Sequence, residues 1–234
     1  MFSYRTQSYS GALDAANVYM RGVYSWMTAG LAVTAATAWF VAGSPAILNA
    51  IFGSSFSMIL MAIAVIALPL CLSGMITRLS ATAASALFIA YSALMGAFLS
   101  SVLLVYTGSS VMSAFAVTAG TFAAMSIYGS VTKRDLTSFG SFLTMGLIGV
   151  LIAMIVNIFL QNTMLEFVIS AICVIVFTGL TAYDTQKLVR FGANAPLDDA
   201  TAIRRGALLG ALTLYLDFIN LFLYLLRFFG SSRD

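Results

Sequence analysis

The chain has 234 residues, of which 61% are hydrophobic and 8% are charged, and its formal net charge is +3. A soluble domain carries about 25% charged residues, so this composition indicates a polytopic membrane protein and leaves too little polar sequence for a soluble domain. No run of Lys and Arg is long enough to form a nucleic-acid surface. We therefore expect the lipid bilayer, and no nucleic acid, as a partner.

Seven apolar blocks reach the length of about 20 residues that a membrane-spanning helix needs. In chain order they cover about 22–42, 50–73, 83–105, 111–131, 140–160, 166–184 and 207–229. Residues 1–21 are predicted to form a cytoplasmic N-terminal segment, and the first block a retained helix rather than a signal peptide. No alternation typical of a β-barrel runs through the blocks. The sequence predicts an all-α integral membrane protein with a single seven-helix domain spanning 1–234.

Small residues recur at helix-packing spacing inside three of the blocks. Gly120 and Ala124, and Gly149 and Ala153, are four residues apart, and Gly206–Gly210 is a GxxxG motif where the last block begins. Such spacing lets the backbones of two membrane helices approach closely. We expect helix packing at most of these places, and Gly206–Gly210 is also a point at which the chain could bend.

Basic residues predict the orientation in the membrane. Nine of them lie on one side, and they are Arg5, Arg21, Arg78, Lys133, Arg134, Lys187, Arg190, Arg204 and Arg205. The three loops on the other side carry none, and Glu166 is their one charged residue. The positive-inside rule therefore places the N-terminus in the cytoplasm. If the last block spans the membrane, Arg227 and Arg233 lie outside, and if it dips and returns they lie inside.

The last block contains an acidic residue, Asp217, near the middle of 207–229. A charged carboxylate near the bilayer centre costs about 2.5–3.5 kcal/mol on insertion scales, so it requires a partner, a proton or a water-filled cavity. On a helix, Thr213, Asp217, Asn220 and Tyr224 share one face. A membrane helix turns such a face away from lipid. The last helix is therefore predicted to be central and enclosed by the other six.

A second acid, Asp184, closes the sixth block and is the candidate partner of Asp217. The alternative is a helix-end carboxylate paired with Lys187, three residues further on. Two carboxyl groups close together titrate as a coupled pair. The chain has no histidine, so a pH response between 5 and 8 must come from carboxyl groups in perturbed surroundings.

The two aspartates start at different depths in this interpretation. Asp217 lies 12 residues beyond Arg205 (217 − 205), or about 18 Å along a helix. The pair therefore forms only if the last helix is tilted or begins with non-helical backbone near Gly206–Gly210. Arg78, at the end of the second block, is either a counter-charge at this level or a positive-inside anchor.

Two sequence stretches resemble those of a known family. Gly210-Ala-Leu-Thr-Leu-Tyr-Leu-Asp-Phe-Ile-Asn-Leu-Phe-Leu-Tyr-Leu-Leu226 is similar to the signature of the Bax inhibitor-1 (transmembrane Bax inhibitor motif) family, and Thr181-Ala-Tyr-Asp-Thr-Gln-Lys187 to its sixth-helix motif. The chain looks like a bacterial inner-membrane member. The resemblance implies seven helices with the last one enclosed, and a pH-sensitive calcium leak gated by Asp184 and Asp217. It also implies that Arg78 latches onto Asp184 in the closed form.

We therefore expect a calcium leak channel or exchanger with no cofactor. Calcium takes six to eight oxygen ligands, and the two carboxylates with Thr213 and Asn220 offer a partial set that suits weak binding. The alternative, which also follows from the resemblance, is a membrane regulator that binds quality-control proteases or other stress-response membrane proteins. An intramembrane aspartyl protease is disfavoured, because Leu214-Tyr-Leu-Asp217 lacks the Gly-x-Gly-Asp motif and no Pro-Ala-Leu occurs. No enzymatic activity is expected.

Overall fold

The computed structural model describes residues 2–76, 78–195 and 199–231, with side chains described from Asp14 onward. Within these residues the protein is all helical. The helices are α1 (Phe2–Ala42), α2 (Pro45–Phe52), α3 (Ser55–Met75), α4 (Ala81–Val105), α5 (Gly108–Val131), α6 (Thr137–Leu160), α7 (Thr163–Ala193) and α8 (Ala200–Phe229). All except α2 are long and apolar enough to cross a membrane. The predicted all-α class with seven spans is confirmed.

Hydroxyl side chains fix where three of the spanning helices begin. Ser54 accepts a hydrogen bond from the Ser57 amide at the start of α3, and Ser80 accepts one from the Ala83 amide at the start of α4. Thr107 does the same at the start of α5. These caps satisfy amide groups that have no partner within the helix.

The predicted end points are wrong at three helices, because charge marks the border of the membrane and does not end a helix. The N-terminal segment 1–21 is not separate from the first span, since α1 begins at Phe2. The helix α7 continues past Asp184 to Ala193. The helix α8 begins at Ala200, seven residues before the predicted 207. Here the Asp199 carboxylate accepts hydrogen bonds from the first free amides of the helix.

The predicted second block, 50–73, is interrupted near its start. The short helix α2 ends at Phe52, and α3 begins only at Ser55, after Gly53 and the capping residue Ser54. The Gly53 amide closes α2 by donating to the Asn49 carbonyl. A run of apolar residues therefore contains two helices, because a glycine and a cap outweigh hydrophobicity at this point.

The last helix is the most buried span of the protein. Of its apolar stretch 67% is buried, against 11–39% for the other six candidate spans. The remaining spans expose large apolar side chains such as Phe56, Phe142 and Phe159, which is expected of helices that face lipid acyl chains. The predicted burial of the last helix is confirmed.

The chain packs into two compact units. Among the described residues, unit one comprises those up to Tyr106 together with Phe191–Tyr215, and unit two comprises Thr107–Arg190 and residues 216–231. The first half of α8 therefore belongs to unit one and the second half to unit two. The prediction of one domain over 1–234 stays a prediction.

Buried aromatic rings and hydroxyl groups form the core of unit one. The ring of Tyr215 packs edge-on against Phe88 and Tyr91, at centroid distances of 5.9 and 6.0 Å. Its hydroxyl group lies 2.7 Å from the hydroxyl of Thr34 on α1. Tyr215 is fully buried, so this hydrogen bond supplies the partner that its polar atom needs.

Unit two has a mainly aliphatic core. Its buried members come from α6, α7 and α8, and they are Leu143, Val150, Ile169, Cys173, Val176, Phe177, Leu180, Leu221 and Leu225. The second half of α8 thus contributes Leu221 and Leu225 to the same core as α7. This packing sets α7 and α8 side by side in unit two.

Two helices of unit two approach each other closely at Gly129 of α5. A Cβ atom at this position would lie 2.3 Å from the carbonyl oxygen of Ala182 on α7. Gly120 and Gly149, by contrast, face open space, so neither glycine makes a close helix approach, whereas Ala153 packs against the core of unit two. Spacing alone does not show which face of a helix meets a neighbouring helix. A small residue can occupy a lipid-facing position as well as a helix interface.

We expect Gly129→Ala to destabilise the protein by about 1–3 kcal/mol, because the added methyl group meets backbone that cannot rotate away. Gly120→Ala, on the same helix, should be neutral or stabilising by up to about 1 kcal/mol, because alanine is the better helix former. The thermal unfolding midpoints of the two variants in detergent measure the difference. Equal midpoints would contradict the close approach of α5 and α7.

Candidate functional site

Asp184 lies inside α7 rather than at its end. Two buried threonines flank it on the helix, Thr181 and Thr185, and the Thr181 hydroxyl donates to the Phe177 carbonyl one turn earlier. Asp184 itself is half-buried. The helix continues for nine residues beyond it (193 − 184), so Asp184 is not a helix-end carboxylate.

Asp217 is buried in the second half of α8, with 5% of its surface exposed. Its Oδ2 atom is shielded from solvent and has no hydrogen-bond partner among the described residues. An unsatisfied buried carboxylate oxygen is unfavourable, by about 1–3 kcal/mol or more for a charged group. The environment of Asp217 therefore favours a proton or a cation at this oxygen.

The carboxyl groups of Asp184 and Asp217 lie within hydrogen-bonding range of each other. Both belong to unit two. Lys187, one turn further along α7, is the nearby positive charge that acts on Asp184. Its side chain is exposed, and its amino group lies 5.9 Å from the centre of the Tyr183 ring. Asp184 therefore faces Asp217 and also has Lys187 nearby, although it does not lie at a helix end.

The expected difference in depth between Asp184 and Asp217 becomes smaller because α7 and α8 are both longer than predicted. Asp184 is followed by nine helical residues, about 14 Å, and Asp217 is preceded by 17 helical residues from Ala200 (217 − 200), about 26 Å. The connection 194–199 has six residues, which reach up to about 20 Å, more than the remaining difference. The predicted non-helical start near Gly206–Gly210 is wrong, since α8 is helical through both glycines.

The other members of the polar stripe on α8 are already hydrogen-bonded. Thr213 donates to the Leu209 carbonyl and Asn220 to the Leu216 carbonyl, both within α8. The Tyr224 hydroxyl donates to the sulfur atom of Met154 at 3.4 Å. Among the described residues, no group of three or more His, Cys, Asp or Glu side chains is placed to hold a metal ion. The pair therefore offers two carboxylates and no complete ligand shell.

Arg78 lies in the turn after α3, and its side chain is exposed. It belongs to unit one, whereas Asp184 and Asp217 belong to unit two. The predicted latch between Arg78 and Asp184 stays a prediction.

The last block is one continuous helix that does not turn back, and its far end contacts two other helices. Arg227 forms an ion pair with Glu166 at the start of α7. The Ser231 amide, just beyond α8, donates to the hydroxyl of Ser110 at the start of α5. The end of α8 therefore lies beside the beginnings of α5 and α7. Arg227 is on the side of Glu166, and Arg233 lies outside the described residues.

The sequence interpretation overlooked Gln186, two residues after Asp184. Its side chain is 6% exposed. The amide group accepts a hydrogen bond from the Leu136 amide at 2.9 Å and donates one to the Arg134 carbonyl at 2.8 Å. Both partners lie in the loop between α5 and α6. A glutamine among charged residues resembles a solvent-facing residue, so the sequence carried no signal of this contact.

The same loop carries an ion pair outside the apolar stretches of α5 and α6. One oxygen of Asp135 accepts hydrogen bonds from the hydroxyl and the amide of Thr137, at 2.7 and 3.0 Å, and from Arg190 at 3.0 Å. The Thr137 hydrogen bonds, and then that of Arg190, lower the pKa of Asp135 from 3.8 to about 2. The carboxylate is exposed, so this pair is screened by solvent.

Comparison with known proteins gives matches along nearly the whole chain. The model of a family described as inhibitor of apoptosis-promoting Bax1 matches residues 16–234. The inner membrane protein YbhL of Escherichia coli K12 is 52% identical over 215 residues, 92% of each chain. Uncharacterized proteins of Borreliella burgdorferi and Deinococcus radiodurans are 44% and 43% identical, covering 93% and 95% of this chain and 94% of each relative. The aspartate pair lies within the matched region.

The Asp135 pair has a defined dependence on pH. Because its folded pKa is lowered, Asp135 contributes stability above pH 3.8, and the contribution is lost as the pH falls through about 2. We expect Thr137→Ala and Arg190→Gln each to move the pKa back toward 3.8, measured by carbon-13 NMR titration of the carboxyl group. Arg134→Gln is the control, because its guanidinium is not a hydrogen-bond donor to Asp135. A pKa that stays near 2 in the Thr137 variant would refute this account.

Proposed function

Because the chain belongs to the Bax inhibitor-1 family, we propose that it is a pH-sensitive calcium leak channel or exchanger gated by Asp184 and Asp217. The observation that carries the proposal is the close placement of two carboxyl groups on adjacent membrane-spanning helices. Such a pair is unfavourable in an apolar interior unless a proton or a cation neutralises part of its charge.

The proton state of the pair is the proposed switch. One proton held between the carboxyl groups makes a hydrogen bond between them and removes one negative charge. When that proton leaves, two negative charges face each other, and a divalent cation is the species that best neutralises them. Asp184, Asp217 and Lys187 are the groups whose charges set this balance.

Calcium is the proposed cargo rather than a resident ion. It prefers six to eight oxygen ligands, and the pair supplies carboxylate oxygens only from two residues. The carbonyl oxygen of Asn220 on the same helix is a further ligand candidate, because its amide nitrogen is the atom that bonds to Leu216. Water completes such a shell. A small protein ligand set gives weak binding, which is what an ion in passage requires.

We place the protein in the bacterial inner membrane, where its relative YbhL is an inner membrane protein. We infer a cytoplasmic N-terminus from the nine basic residues on one side. Since α8 spans, Arg227 and the end of α8 then face the opposite side with Glu166. In this orientation the route past the pair runs along α7 and α8.

Purified protein in liposomes should pass calcium at a rate that changes with pH. Asp184→Asn and Asp217→Asn should each shift the pH midpoint of flux by about 1 unit or more, because a neighbouring charge changes a carboxyl pKa by about 1–3 units. Flux is measured with a calcium indicator inside the liposomes between pH 5 and 8.

Asp14→Asn is the matched control, because it makes the same change at an exposed carboxylate and should leave the midpoint in place. Wild-type liposomes that pass no calcium at any pH would contradict the transport proposal. That result would favour the alternative role, a regulator that binds membrane proteases, which a pull-down from solubilised membranes tests.

The latch proposal assigns Arg78 to hold Asp184 in the closed form. Removing its charge should raise calcium flux near neutral pH, by several-fold if the latch is worth about 1 kcal/mol. We would compare Arg78→Gln with Arg21→Gln, because both side chains are exposed basic residues of unit one. Equal flux in the two variants would show that Arg78 is a positive-inside anchor only.

A further inference from the structure

A set of polar contacts ties α7 to the loop between α5 and α6, and we name it the α7 clamp. It consists of the Gln186 side chain bonded to the backbone of Arg134 and Leu136, and of the ion pair between Arg190 and Asp135. All of these residues belong to unit two. The clamp begins two residues after Asp184.

Gln186 is the central part of the α7 clamp because it is buried and both its amide oxygen and its amide nitrogen are hydrogen-bonded. Its amide oxygen and nitrogen each make a hydrogen bond of 2.8–2.9 Å to the loop backbone. A buried amide left without these partners is unfavourable by about 1–3 kcal/mol per group. The loop therefore cannot move away from α7 without leaving polar atoms unsatisfied.

Further contacts, one before Asp184 and one after it, hold α7 against α5. Gly129 brings the α5 backbone against Ala182, where even a Cβ atom has no room. The hydroxyl of Thr185 donates to that of Ser126 on α5 at 3.5 Å. Contacts at Ala182, Thr185 and Gln186 thus bracket Asp184, and this stretch of α7 is fixed to α5 and its loop.

Asp217 sits in a different kind of surroundings. The next residue, Phe218, packs against the rings of Phe115 and Phe122 on α5 at 5.7 and 5.5 Å. Asn220 bonds within its own helix. Between Leu216 and Leu223, Asp217 is the described residue with a polar contact to another helix, and the next such contacts along α8 are those of Tyr224 with Met154 and of Arg227 with Glu166. Apolar contacts permit sliding at little cost, whereas hydrogen bonds fix a position.

We propose that Gln186 is a positioning residue for the aspartate pair, which holds Asp184 in place so that Asp217 is the member that moves. This inference rests on the proposed function, since it assigns the fixed and the moving half of the same switch. It also makes the loop between α5 and α6 a part of the site. Displacing the loop from Gln186 changes how closely Asp184 meets Asp217.

The charged surroundings of Asp184 are simple enough for titration to report its position. Asp217 on α8 and Lys187 on α7 act on it. The helices α5 and α6 contain no Asp, Glu, Lys or Arg, and Tyr128 is the titratable residue on α5. Arg190 lies further along α7 and is bonded to Asp135. A change in the titration midpoint of Asp184 therefore reports a change in its burial or in its distance from Lys187 and Asp217.

The experiment compares Gln186→Met, which keeps the length of the side chain but loses both hydrogen bonds, with Gln186→Glu, which keeps the acceptor for the Leu136 amide. We expect Leu136 amide exchange to rise about tenfold in Gln186→Met and to stay near wild type in Gln186→Glu, as loss of about one hydrogen bond predicts. The titration midpoint of the Asp184 carboxyl, followed by carbon-13 NMR, should shift by at least about half a unit in Gln186→Met.

Gln161→Met is the control, because Gln161 is exposed at the end of α6 and should change neither measurement. An unmoved Asp184 midpoint in Gln186→Met, with Leu136 exchange raised, overturns the positioning role and leaves a purely local clamp. Unchanged Leu136 exchange overturns the clamp itself.

Calcium flux separates this inference from the proposed function. If the wild type passes calcium, the flux midpoint of Gln186→Met should shift together with the Asp184 midpoint, and a fixed flux midpoint would overturn the role of Gln186. If the wild type passes no calcium while the Asp184 midpoint still shifts, transport fails as the function and Gln186 remains the positioning residue of the pair.

Discussion

The unfavourable energy of a carboxylate in an apolar interior is the constraint on which the rest of this structure depends. Asp217 is almost fully buried in the most buried helix of the protein. A charged side chain there requires a proton or a cation, because a second carboxylate beside it adds like charge. The side-by-side packing of α7 and α8 in unit two brings Asp184 to it.

The two halves of the pair are supported by different interactions. Around Asp184, backbone contact at Gly129, the Thr185 hydroxyl and the Gln186 amide fix α7 to its neighbours. Around Asp217, α8 meets aromatic and aliphatic side chains. Polar contacts in a medium without water are strong and directional, and apolar contacts are neither. This asymmetry suits a switch in which one carboxyl group keeps its place and the other changes its distance.

Ion pairs stand near both ends of α7. Arg190 binds Asp135 near its C-terminal end, and Glu166 binds Arg227 at its N-terminal end. Both pairs are partly or largely exposed, so each contributes little to stability by itself. Their value is geometric, because they fix α7 relative to the α5–α6 loop at one end and to α8 at the other. The apolar core of unit two then sets the distance between the helices along their length.

The sequence by itself determined the number of spans, the burial of the last helix and the two aspartates, because hydrophobic length and a misplaced charge are readable without a fold. Helix ends at Asp184 and near 207 were misplaced, since polar residues mark the membrane border and the backbone stays helical beyond it. Only the tertiary structure decided that Gly129 rather than Gly120 meets a neighbouring helix. It also decided that Arg227 pairs with Glu166, and that the Gln186 side chain hydrogen-bonds to a loop 50 residues earlier. These depend on which helix faces meet, and a repeating apolar pattern does not encode that.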